Sequence, residues 1–194
     1  MQDPIATHRA APMTDAEIAG VARRVDRPIV LVGLMGAGKS TVGRRLAALL
    51  GKEFVDADDE IEEAAQMSIA EIFSEFGEAY FRDGERRVIA RLIDEHDGVI
   101  ATGGGAFVND ETRALIIDQA LAVWIDCSID TLVERTSRRN TRPLLRNGDP
   151  REILTRLRDE RAPAYEQAQI RVPSDDGPHM ETALAIIEAI DRWL

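Results

Sequence analysis

Gly33-Leu34-Met35-Gly36-Ala37-Gly38-Lys39-Ser40 has the pattern G-x-x-x-x-G-K-S, and these residue types at this spacing make a phosphate cradle. The glycines let successive backbone N–H groups turn inward, and the helix that opens at Lys39 adds the positive end of its dipole. In such a loop Gly36, Ala37, Gly38, Ser40 and Thr41 surround the phosphates, Lys39 reaches the β and γ groups, and the Ser40 hydroxyl is placed to ligate Mg²⁺. Of 24 basic residues only Lys39 and Lys52 are lysines. A compact ammonium fits inside the loop's curve where a planar guanidinium does not.

Three further stretches have residue types suited to phosphoryl transfer. Asp56 and Asp58 in "VDADDE" stand two apart at the end of an apolar run, so they share a side if a strand continues that far. One then serves a metal and the other an acceptor hydroxyl; the alternative is a helix N-terminus enriched in acids. Gly103, Gly104 and Gly105 in "TGGGAF" either let backbone approach a ligand closely or form a plain tight loop. Between Arg135 and Arg161 nine arginines face four acids. Arg142 lies in this segment between two helical stretches, either on a loop that closes over a transferring phosphate or as a solvated surface charge.

The elements that must position these residues alternate. "PIVLVG" is a short β-branched apolar run, as expected of a strand buried on both faces. "KSTVGRRLAALLG" has helical spacing at Val42, Leu46, Leu49 and Leu50 and a stop at Gly51. "EFVDAD", "GVIATGGG", "LAVWIDC" and "QIRVP" supply four more strands, and residues 110–118, 128–139, 150–160 and 178–193 read as helices. "DEIEEAAQM" and "SIAEIFSEFGEAYFRDGERRVIARLIDE" read as helices, with Gly77 and Gly84 weakening the continuity of the pattern. Near the start, Thr14 and Glu17 form a capping box for a helix that places Ile18, Val21, Ala22 and Val25 on one face. Strands alternating with helices predict an α/β doubly wound parallel sheet with ligands at the carboxyl ends of its strands.

Composition narrows the function classes. A net charge of −11 argues against a protein that wraps nucleic acid, and no apolar run is long enough for a membrane span. The start has no basic flank followed by an apolar core, so the expectation is a cytoplasmic protein. One cysteine, Cys127, rules out an internal disulfide and any multi-cysteine metal site. A GTPase would need N-K-x-D, which lysines at 39 and 52 alone cannot supply. A compact kinase remains, with a nucleotide-driven switch or binding protein as the rival from another class.

Taken in order, "GLMGAGKST", "DADDEIE", "SIAEIFSEFGEAYFRDGE", "TGGGA", "TRPLL" and "ERAPAY" resemble the shikimate kinases, small P-loop kinases of the nucleoside-monophosphate-kinase type. The resemblance runs from about Pro28 to the C-terminus. It implies a three-layer α/β/α fold with a central five-stranded parallel sheet. It also implies a mobile lid at about 135–150 and a helical shikimate-binding region at about 56–90. The activity implied is transfer of the ATP γ-phosphate to the 3-hydroxyl of shikimate, with Mg²⁺, by a monomer. By the same resemblance Asp58 holds the shikimate hydroxyls and is the candidate base, and Asp56 joins Ser40 at Mg²⁺. Arg82 and Arg161 bind the carboxylate, while Gly103, Gly104 and Gly105 line the pocket with the Gly104 N–H as donor. Arg142 stabilises the γ-phosphate, Arg135 lies against adenine, and Arg171 is a weaker nucleotide candidate. Glu85 either holds Arg82 or forms a surface pair with it. Residues 1–27 exceed the family core and read as an extension, in part helical; residues 28–194 form the kinase domain.

Overall fold

The computed structural model describes residues 12–137, 148–174 and 177–194. Five parallel strands form one sheet: β1 (Ile29–Val32), β2 (Phe54–Asp56), β3 (Val99–Ala101), β4 (Leu121–Asp126) and β5 (Ile170–Pro173), in the order β2-β3-β1-β4-β5. β1 is central, and all four of its residues are buried, as its unbroken apolar run requires. The helices are α1 (Asp15–Arg24), α2 (Lys39–Leu50), α3 (Ala57–Ala65), α4 (Ile69–Glu95), α5 (Asp110–Gln119), α6 (Ile129–Ser137), α7 (Pro150–Tyr165) and α8 (His179–Trp193). One core, built from both faces of the sheet, joins Leu46, Ile89, Leu92, Ile116, Leu154 and Ile186 to the strand residues.

Strand register decides where the loops meet. Leu31 pairs with Ala101, and Ala101 pairs in turn with Asp56, so β1, β3 and β2 end in one row. The phosphate loop, the glycine turn and the acidic pair therefore emerge side by side, at the position where the strand order reverses around β1. Thr102 pins this edge by donating from both N and Oγ1 to the Leu31 carbonyl, at 3.2 and 3.0 Å.

Several local expectations need correction. The second strand stops at Asp56 instead of running to Asp58, because the Asp56 side chain caps α3 by accepting from the Asp58 N–H at 3.1 Å. Asp56 and Asp58 are thus neighbours through a helix cap, not through the pleat. Gly84 lies inside α4 without a break, whereas Gly77 kinks that helix with φ 80° and ψ 175°, a region open essentially to glycine alone. The Thr14–Glu17 capping box is present, and α1 seats Ile18 and Val21, with Met13 and Val25 beside them, in the main core. Residues 138–147, which include Arg142 and most of the expected lid, lie outside the described residues.

Candidate active site

The phosphate loop takes the conformation its glycines permit: Gly36 and Gly38 have φ of 85° and 87°. Gly38 opens α2 without a side-chain cap, so the first N–H groups of that helix face the loop's concave side. Lys39 is 8% exposed, and its Nζ donates to the carbonyls of Gly33 and Leu34 at 2.8 and 2.9 Å, holding the ammonium inside the curve. Ala37 is buried, and its carbonyl accepts from Arg135 Nη1 at 3.3 Å, which ties α6 to the loop. A cavity of about 460 Å³ runs along this loop, with Arg135 and His179 lining it beside Gly38 and with Asp56, Asp58 and Thr102 among its other walls.

Two oxygen donors stand beside the cradle. Ser40 Oγ donates to Asp56 Oδ2 at 2.5 Å, so the first helical turn of α2 and the end of β2 are joined. Asp58, in the first turn of α3, is only partly exposed. Burial and the adjacent Asp56 carboxylate push its pKa up, while Lys39 pulls it down. Its carboxyl faces the glycine turn: a Cβ at Gly103 would come within 2.8 Å of Asp58 Oδ1 and 3.2 Å of Glu85 Oε1.

The two candidate carboxylate-binding arginines reach the same turn from different helices. Arg82 on α4 donates from Nη1 to Glu85 Oε2 at 2.6 Å, and a Cβ at Gly105 would overlap its guanidinium. Arg161 on α7 donates from Nη1 to the Gly104 carbonyl at 2.8 Å. Glu85 is 1% exposed and Arg82 is partly buried, so the contact is a part-buried ion pair and not a surface one. Burial pushes the Glu85 pKa up against the pull of Arg82, and its Oε1 finds no partner among the described residues.

Placement thus brings together Gly36, Ala37, Gly38, Lys39, Ser40, Thr41, Asp56, Asp58, Gly103, Gly104, Gly105, Arg82, Arg161 and, at the loop's flank, Arg135. Arg171 points elsewhere: it pairs with Asp126 at 2.7 Å and lies over the Trp124 ring at 4.6 Å. His179 and Tyr165 were missed as site residues. No sequence pattern marks His179, and Tyr165 was visible only as the last letter of "ERAPAY".

A cradle for polyphosphate thus lies one strand away from an acidic, arginine-flanked acceptor pocket, on a five-stranded parallel sheet. Fold and site together define a small P-loop kinase. The family model for shikimate kinase matches residues 35–191. The shikimate kinase of Novosphingobium aromaticivorans is 58% identical over 96% of this chain and 99% of that protein, and that of Caulobacter vibrioides is 58% identical over 84% of this chain and 82% of that protein. Among solved structures, a shikimate kinase from Acinetobacter baumannii in complex with shikimate superposes with a TM-score of 0.81 at 37% identity, over 86% of this chain and 93% of that one. The chain belongs to the shikimate kinase family.

Proposed function

We propose that the protein transfers the γ-phosphoryl group of ATP to the 3-hydroxyl of shikimate. One observation carries this reading: Arg82 and Arg161 meet at adjacent glycines of the turn that Asp58 faces. Two guanidiniums suit a carboxylate, and a single carboxylate suits ring hydroxyls, so the pocket matches a small polyhydroxylated acid. Its proximity to the Lys39 cradle supports direct transfer between two bound small molecules.

In this reading Asp58 orients the acceptor hydroxyl and takes its proton as the new O–P bond forms and the bond to the β-phosphate oxygen breaks, releasing ADP. The upward shift of its pKa moves it toward the range where a carboxylate works as a base near neutral pH. Lys39, and Arg142 from the segment outside the described residues, offset negative charge on the transferring group. Arg135 lies against the adenine end. Ser40 and Asp56 are two hard oxygen donors already in contact beside the cradle, which fits Mg²⁺. Ser40 and Asp56 would hold such an ion, which would supply charge neutralisation for the polyphosphate.

The test offers the purified protein ATP and Mg²⁺ with shikimate, with gluconate, or with no acceptor, and follows ADP by a coupled assay. ADP release dependent on shikimate alone is expected. Equal release with gluconate, or release independent of any acceptor, contradicts the reading.

A further inference from the structure

Three consecutive glycines have more conformational freedom to lose on folding than any other tripeptide, so something outside the turn must hold it. Thr102 fixes one end to β1. The middle is held by Tyr165, the last residue of α7, which is 1% exposed and the largest fully buried side chain. Its hydroxyl donates to the Gly104 carbonyl at 2.5 Å, the same oxygen that accepts Arg161 Nη1 at 2.8 Å. A carbonyl oxygen has two lone pairs, so these two donors saturate it and fix the peptide plane between Gly104 and Gly105.

The tyrosine ring reaches the other half of the site as well. It stacks on Trp124 with centroids 5.8 Å apart. Trp124 in turn lies under the first residue of the phosphate loop, where a Cβ on Gly33 would sit 3.5 Å from its Cδ1. The Gly33 carbonyl is one of the two that hold Lys39.

We propose that Tyr165 is a positioning residue for phosphoryl transfer: through the Gly104 carbonyl and Arg161 it fixes the acceptor turn relative to the phosphate loop. The proposal rests on the reading of that turn as the shikimate pocket. Burial pushes the phenol's pKa up against the opposing pull of Arg161, so the hydroxyl keeps its proton and stays a donor at neutral pH.

Tyr165→Phe keeps the ring, its volume and the Trp124 stack and removes only the hydroxyl. Shikimate and ADP are titrated separately into parent and variant by calorimetry, with thermal unfolding alongside. Loss of one hydrogen bond from the turn is expected to weaken shikimate binding about three- to ten-fold and to leave ADP binding within about two-fold of the parent. In an Arg161→Lys background the effect of Tyr165→Phe is expected to shrink, because both groups act on one carbonyl. A variant that melts earlier but binds shikimate as tightly as the parent makes Tyr165 a packing residue only and overturns the proposal. So does a loss shared equally between shikimate and ADP. A parent that binds ADP but not shikimate would instead remove the substrate reading, and the positioning role with it.

Discussion

Asp58 sits in an environment that works against its own ionised form. Burial and the neighbouring Asp56 carboxylate make its ionised form costly, and Lys39 offsets only part of that. A carboxyl whose folded pKa is raised contributes stability that is complete below its unfolded pKa and is lost as pH rises through the folded value. Asp58→Asn is therefore expected to raise Tm at neutral pH, with an advantage that shrinks on acidification, while kcat falls by about 10²–10⁴-fold. Thermal unfolding across pH and steady-state kinetics check the two halves; a lowered Tm at pH 7 with kcat intact would place Asp58 among structural carboxylates. Arg142, outside the described residues, tests the chemistry alone. Arg142→Ala is expected to reduce kcat on the order of 10³-fold while shikimate affinity changes far less. Unchanged kcat removes it from the mechanism.

At the scale of elements, the site is an intersection of strand ends with two helices that each bring one arginine to a turn. Gly105 makes the contact with α4 possible, since any side chain there meets the Arg82 guanidinium. That guanidinium is the far end of a flexible side chain and can swing aside, but the move breaks its pair with the buried Glu85, so Gly105→Ala is expected to fold with a Tm lowered by several degrees. Shikimate KM is expected to rise about ten-fold, as a charge-assisted contact is displaced. An unchanged KM would mean that Arg82 does not bind the acceptor. Much of this arrangement was legible in the sequence, because β1 is buried on both faces and must be apolar throughout, and because the phosphate loop is read from residue type and spacing alone. The end of β2 was not, since capping by Asp56 competes with strand continuation and only the folded backbone decides. The Arg82–Glu85 pair illustrates a second limit: an i,i+3 ion pair has the same spacing on a surface or in a core, and burial depends on what packs above it. Tyr165 illustrates a third, because its partner is the Gly104 carbonyl, an atom every residue has.

At the scale of the whole molecule, the main core lies beneath the site, and the N-terminal helix belongs to that core. Met13, Ile18, Val21 and Val25 are all buried in it, and Arg24 pairs with Asp191 on α8. None of α1's residues lines the cavity. Removing residues 1–26 is thus expected to lower Tm by several degrees while KM for ATP and for shikimate stays near that of the full chain; shifted KM values would link the helix to the site. The central claim is that the γ-phosphoryl group held by the Gly33–Ser40 loop passes to shikimate, and the most direct measurement is acceptor-dependent ADP release by the purified protein with ATP and Mg²⁺. ADP formed in proportion to added shikimate, and absent with gluconate or without acceptor, is the predicted result. Confirmed ATP binding with no shikimate-dependent ADP would contradict the account.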